Sequence, residues 1–317
     1  MAPAVEVLIA TYNRAYLIAE TLQSVLAQGP EVFIRVEDDG SSDDTEQVIA
    51  PFVRTGRVAY AKGPASGGPS GPRNRALRAA RAPFVAFFDA DDLMNPGYLA
   101  HHVALLEAHP GWVATVADYR NFSQEGDYPN TLFQTCPKLS SLLGSGTASS
   151  ADRPPLVLSE RAAKLLAVRE NFSSACGVVY RRAVAQRLGG FDVTLPASED
   201  FDIFWRLLGE GPVGISPFCA FRRRVHSGNM SHEQLKILTW KVRSRMKLLE
   251  KEQDPLVRRA LRRALAEFLD GLAYNQFPLD FKAATQSAFR ALWYGARSGR
   301  LPHQAMRAAA RVCLRGA

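Results

Sequence analysis

The first ninety residues set the strictest limit on the fold. Four short, almost unbroken apolar runs, "VEVLIA" (5–10), "VFIRV" (32–36), "VAYA" (58–61) and "FVAFF" (84–88), alternate with helical patterns over Tyr16–Leu26, Asp43–Ala50 and Pro72–Ala80. Strands that are apolar along their whole length, rather than at every second position, belong to sheets covered on both faces. The alternation therefore predicts an α/β fold, a mostly parallel sheet flanked by helices.

Ligands of such sheets bind where the carboxyl ends of the strands turn outward. Three of the four runs end there in polar clusters: "TYNR" (11–14), "EDDGSSDDT" (37–45) and "DADD" (89–92). Ordinary turn and N-cap chemistry accounts for much of this, and Ser42 or Asp43 suits a cap. "DADD" goes further, because Asp89, Asp91 and Asp92 crowd three carboxylates into four positions. Such groups raise each other's proton affinity unless a cation or hydrogen-bond donors offset the charge. A hard divalent ion, Mn2+ or Mg2+, matches the oxygen set and usually binds substrate phosphates as well, which points to a phosphorylated substrate. The loop "GPASGGPSGPRNRALRAAR" (63–81) brings Gly67, Gly68 and Gly71 and then Arg73 and Arg75 to a helix start, a place suited to an anionic or nucleotide group.

Composition narrows the setting. No apolar run reaches the roughly 18–20 residues of a membrane span. Glu6 interrupts the first hydrophobic stretch, which lacks the basic flank of a secretory signal, so a cytoplasmic location is expected. Cys136, Cys176, Cys219 and Cys313 form no CxxC pair, which argues against a zinc site or a disulfide framework. The net charge of +8 is unevenly spread, with 17 Lys/Arg against 6 Asp/Glu from Leu235 onward and a net −3 before it. The tail thus faces something anionic.

The segments "VLIATYNR", "VEDDGSSDDT", "GGPSGPRNRAL", "FVAFFDADDLMNPGYL", "GGFDVTLPASEDFDIFWRL" and "RRRVHSGNMS" follow one another in the order and spacing of the family 2 glycosyltransferases. The chain resembles this family of inverting, GT-A fold enzymes over residues 4–232. The resemblance implies a GT-A catalytic domain over 1–232 and a basic helical region over 233–317. It implies that Thr11 and Tyr12 pack on the nucleotide, that Asp38 with Asp39 beside it reads the base, and that Arg73 contacts the nucleotide, with Pro72 where alanine is usual. Asp89 and Asp91 match the two acids of the DxD motif, which touch ribose and metal, and Asp92 is the adjacent acid that also reaches the ion. His226 matches a histidine that contacts metal or diphosphate.

Inverting transfer needs a carboxylate to deprotonate the attacking hydroxyl. Asp200 matches the family's general base and Glu199 the acid before it, while Ile203, Leu207 and Leu208 recur at helical spacing and turn inward. Phe204 and Trp205 read as core. The implied activity is metal-dependent, inverting transfer of a sugar from a nucleotide-sugar, a UDP-sugar foremost, to a hydroxyl of a glycan or lipid-linked acceptor in polysaccharide or glycoconjugate synthesis.

Two alternatives stand beside it. A sugar-1-phosphate nucleotidyltransferase would carry a glycine-rich signature and a lysine after the first strand, where this chain has "ATYNR". A catalytically inactive, membrane-docking scaffold would have lost the acids that are present here.

Residues 121–160, rich in Ser, Gly, Thr and Pro, read as a mobile acceptor-side loop, and "NFSSACGVVYRR" (171–182) as a buried segment near the acceptor. The tail reads as helices: Leu261, Leu265, Phe268, Leu269 and Leu272 form an apolar stripe opposite Arg258, Arg259, Arg262 and Arg263. Arg300, Arg307, Arg311 and Arg315 repeat on another helical face, away from Met306, Ala310 and Cys313. Such helices pack on protein, build a homo-oligomer, or make peripheral contact with the inner face of a membrane. The tail carries no interleaved aromatics of the kind nucleic-acid binding uses, so no nucleic-acid partner is expected.

Overall fold

The computed structural model describes residues 3–144, 153–226, 234–277 and 279–295. The chain divides into two compact units, Met1–Asn229 and Met230–Ala317. The first opens with β1 (Val5–Thr11), α1 (Ile18–Leu26), β2 (Val32–Asp38), α2 (Thr45–Val53), β3 (Val58–Lys62), α3 (Ser70–Ala79) and β4 (Phe84–Asp89). β5 (Leu93–Met94), α4 (Tyr98–Ala108), the hairpin β6 (Ala114–Ser123) and β7 (Gly126–Thr131), α5 (Pro137–Leu143), β8 (Leu156–Val157) and α6 (Glu160–Arg169) follow. The unit closes with β9 (Val178–Arg181), α7 (Arg182–Arg187), α8 (Glu199–Leu208) and β10 (Val213–Arg224).

These strands form one sheet in the order β3-β2-β1-β4-β9-β6-β10-β5, with β7 beside β6 and β8 beside β10. The chain winds outward from β1 to β3 and then returns to the far side of β1 with β4, which makes the β1/β4 boundary a topological switch point. Pairing sets Thr11 opposite Asp38 and Ala10 opposite Asp89, so the three polar clusters share one rim. The sheet is parallel across β3-β2-β1-β4, but β9 runs antiparallel between β4 and β6. β6 and β10 pair in parallel as well, so the expected mostly parallel sheet holds, with β9 and the short strands β5, β7 and β8 as its antiparallel members.

Apolar continuity explains the central strands: Val7, Leu8, Ile9, Phe87 and Phe88 are wholly buried. Glu6 is the exception inside β1. Its Oε1 accepts hydrogen bonds from the backbone N–H groups of Arg81 (2.6 Å) and Ala82 (2.8 Å), and its Oε2 pairs with the Arg35 guanidinium at 3.0 Å. The carboxylate thus ties the end of α3 to β1, and burial of its charge is compensated in full.

α2 starts at Thr45 instead of Asp43, because the Asp43 carboxylate turns onto the backbone N–H groups of Thr45 and Ala15 and stays outside the helix. The loop expected over 121–160 is corrected: it contains β7, α5 and β8, while residues 145–152 lie outside the described residues. Side-chain bonds to backbone, rather than apolar periodicity, order this region. The Asp118 carboxylate accepts from the N–H of Phe133 (2.9 Å), and Arg120 donates to the carbonyls of Tyr128 and Pro129.

The second unit comprises α9 (Gln234–Lys251), α10 (Pro255–Gln276) and α11 (Phe281–Trp293). The α10 stripe expected from sequence is its core, since Leu261, Leu265 and Leu269 are wholly buried. Arg300, Met306, Arg307, Ala310, Arg311, Cys313 and Arg315 lie outside the described residues.

Replacing Glu6 by Leu strips two backbone donors of their acceptor and leaves Arg35 unpaired. The expected cost is about 3 kcal/mol, read as a lower urea midpoint, with Glu6→Gln losing less because an amide oxygen still accepts.

Candidate active site

The site is assembled around Arg73 in α3. Its Nη2 donates to Asp89 at 2.6 Å and its Nη1 to Glu199 at 2.8 Å, while the guanidinium carbon lies 4.9 Å from the Phe191 ring centroid. The neighbouring Asn74 side chain clamps the backbone of Phe191, donating to its carbonyl at 2.7 Å and accepting from its N–H at 2.8 Å. Gly190 has φ +72°, and a Cβ there would run into the Asn74 side chain, so the clamp requires glycine. Consecutive side chains of α3 thereby fix both the loop before α8 and its first turn.

Burial works to raise the Asp89 carboxyl, but the Arg73 guanidinium outweighs it and holds the group below the usual carboxylate range. Glu199 moves the other way: burial first, then the Asp200 charge, push it up to about 7 despite Arg73. Asp200, in the same first turn, is partly exposed, and one of its oxygens accepts from the N–H of Phe201 at 2.7 Å. Tyr119 on β6 is pushed up to about 12, chiefly by burial, with the charges of Asp200 and Asp92 adding to it. Its phenol therefore stays protonated within the field of both acids.

The DADD turn splits its three carboxylates. Asp89 keeps 42% of its side chain exposed. Asp91 Oδ2 meets Arg14 Nε at 3.4 Å and His226 Nε2 at 3.1 Å. Asp92 is buried, and its Oδ1 accepts from the Arg224 N–H at 2.9 Å. Burial, followed by the charges of Asp89 and Asp91, pushes the Asp92 carboxyl well above its ordinary range.

Asp89, Asp92 and Cys176 present ligand atoms within 4.8 Å of one another. Burial and both neighbouring carboxylates push the Cys176 thiol up, so it stays protonated and is a poor ligand. The donors that fit a cation are hard carboxylate oxygens whose mutual repulsion a divalent ion would relieve, with His226 beside them. That chemistry suits Mn2+ or Mg2+.

Across the rim, Asp38 is wholly buried with both oxygens engaged, accepting from the Ser41 N–H (2.7 Å) and the Tyr60 hydroxyl (2.8 Å). Asp39 accepts from the N–H and hydroxyl of Ser66 in the glycine-rich loop and lies 3.5 Å from Arg75. Of the two acids, Asp39 is the one held directly against that loop. Tyr12 stands 52% exposed beside them. The hydroxyl of Thr11 and the Nε of Arg73 are buried without a hydrogen-bond partner. α3 begins without a side-chain cap and without an acid in its first turn, which leaves its positive end open to an anion.

The residues singled out in the sequence thus gather on one rim, with Asp200 and Glu199 on α8 joined to it through Arg73. Sequence reasoning overlooked Arg14, Tyr119, Asn74 and Arg224. Arg14 and Arg224 sit inside quoted motifs, "TYNR" and "RRRVHSGNMS", whereas nothing local marks Tyr119.

The sequence profile described as Glycosyl transferase family 2 matches residues 6–189, more than half of the chain, and the protein belongs to that family. It is 28% identical over 232 residues to the succinoglycan biosynthesis protein ExoU of Rhizobium meliloti, an alignment covering 71% of this chain and 63% of that protein. The chain therefore spans under two thirds of that relative's length. Among solved structures, that of S. aureus TarS residues 1–349 in complex with UDP superposes with a TM-score of 0.64 at 20% identity, covering 93% of this chain and 81% of that one. The mannosyltransferase PcManGT from Pyrobaculum calidifontis, in complex with GDP-Man and Mn2+, gives 0.62 at 20% identity over 99% of this chain and 81% of its own. The fold is GT-A.

Because the folded state holds Glu199 raised from 4.5 to about 7, its contribution to stability is present below the lower value and lost as pH rises through the upper one. A Glu199→Gln variant lacks this loss. Its stability relative to wild type is expected to increase as pH is raised across that window in paired urea titrations.

Proposed function

We propose that the protein is an inverting glycosyltransferase using a nucleotide-sugar, a UDP-sugar foremost, with a divalent cation and the hydroxyl of a glycan or lipid-linked acceptor. The observation that carries this reading is the Arg73 bridge, which joins the acid turn at the switch point to the helix bearing Asp200. The comparisons lend support: TarS is a poly(ribitol-phosphate) β-N-acetylglucosaminyltransferase crystallised with UDP and with UDP-GlcNAc, and ExoU is a succinoglycan biosynthesis protein.

In this reading Tyr12 stacks on the base, the Asp39 edge borders it, and the Thr11 hydroxyl and Arg73 Nε supply polar contacts from the floor. Asp89, Asp91, Asp92 and His226 hold the cation. When bound, it supplies Lewis-acid stabilisation of the departing diphosphate. Arg14 offsets the charge of Asp91, while Arg224 orients the turn through its N–H to Asp92 and its guanidinium to the Asp91 carbonyl.

Asp200 accepts the proton of the acceptor hydroxyl. The new glycosidic bond forms as the bond to the nucleotide breaks on the opposite face, the diphosphate leaves with the electron pair, and the anomeric centre inverts. Glu199, buried and paired with Arg73, positions that helix turn. Tyr119 stays protonated beside the acids.

Thermal shifts with UDP, GDP, dTDP and CDP, each with and without Mn2+, test the donor half. Stabilisation by one nucleotide that requires the metal is expected, since a ligand bound only by the native state raises its melting point. Asp92→Asn is expected to abolish the metal-dependent part. Asp200→Asn keeps the shift and lowers transfer by about a thousandfold. Normal turnover in that variant would overturn the base assignment, and the absence of any nucleotide shift would overturn the donor site.

A further inference from the structure

The second unit carries a surface that glycosyl transfer does not use. α11 packs on α10 through Ala284, Ser287 and Ala291, all buried. Its opposite side is aromatic and open: Phe281 is 62% exposed, Phe289 69% and Trp293 86%, with Leu292 among them. Tyr274 and Leu279, at the α10–α11 turn, extend the same exposed set. The two sides follow the helical period, so small residues face the protein and large ones face outward. Exposed aromatics at this density are not ordinary surface and mark an interaction site.

Charge indicates the partner. Lys282 and Arg290 are exposed beside the aromatic face, and from Phe281 to Ala317 the sequence holds seven Lys/Arg and no Asp/Glu. Two copies of this face would bring the Lys282 and Arg290 cations together, with Asp280, which caps α11, as the acid nearest in sequence. An anionic lipid surface complements the charge, and the polar–apolar boundary of a bilayer is where Trp and Tyr rings settle. The arginine-flanked apolar stripe of α10, the other candidate for membrane contact, is consumed inside the unit.

We infer that the exposed face of α11, Phe281, Phe289, Leu292 and Trp293 with Lys282 and Arg290, docks the protein on a bilayer rich in anionic headgroups. The helix lies in the interface plane with its aromatic side chains among the acyl boundary and its cations at the phosphates. Binding combines apolar burial with salt-sensitive attraction.

The test is flotation of the full chain with vesicles of phosphatidylcholine alone and of phosphatidylcholine containing about one third phosphatidylglycerol, at low and high salt. Binding is expected only to the anionic vesicles, weakening as salt rises, with a blue shift in the emission that Trp293 contributes, taken as the difference between wild type and Trp293→Ser. The double variant Phe289→Ser, Trp293→Ser is expected to bind at least about tenfold more weakly. Its melting curve should be unchanged because both side chains are exposed. Lys282→Glu with Arg290→Glu is expected to remove the preference for anionic lipid. Absence of binding, equal binding by the aromatic variant, or a wild-type dimer that the aromatic variant dissolves would each overturn the proposal.

Discussion

The Arg73 guanidinium lies between Asp89 at the end of β4 and Glu199 at the start of α8, and the arrangement of the rim depends on it. A buried cation persists only when its charge is matched, and here two carboxylates from segments 16 and 126 residues away do so. The bond to Asp89 keeps that carboxylate ionised at the mouth of the site. Its counterpart to Glu199 fixes the helix turn that presents Asp200. Asn74, one position on, holds Phe191 and so orients the loop leading into α8. The acid turn and the first turn of α8 therefore share one support.

Excess negative charge is the complementary constraint. Asp89, Asp91 and Asp92 cannot all ionise at low cost, and the structure distributes the burden among Arg73, Arg14, His226 and the Arg224 backbone. Asp92 still carries a strongly raised proton affinity. In the proposed reading a divalent cation would offset that repulsion. The same economy appears at Glu6, where one buried carboxylate is matched by two N–H groups and a guanidinium, with no charge left over for chemistry.

The parallel half of the fold was legible because its strands are apolar on both faces and end in clustered Asp, Gly and Ser. The rim followed from that, and the DADD turn stood out because repulsion between its acids demanded an explanation. The second half was less legible. β7 is built from polar residues, and the bonds that order it and the start of α5, from Asp118 and Arg120 and from Glu170 to the N–H groups of Lys138 and Leu139, link side chains to backbone, which no periodicity reveals. Pairing partners such as Arg14 with Asp91 or Arg73 with Glu199 depend on topology, and Tyr119 carries no local signature. In the tail, the sequence revealed a stripe on α10 but not that its leucines would be buried while α11 exposed its aromatics.

Hydrogen–deuterium exchange on an Arg73→Gln variant tests the central claim most directly. If Arg73 joins the two halves of the site, amides of the α8 first turn and the preceding loop lose protection, although Glu199 lies 126 residues away in sequence. The DADD turn would loosen with them, while β2 and β3 keep wild-type exchange. Unchanged protection at Glu199–Ile203 would contradict the account, because α8 would then be held independently of the acid turn.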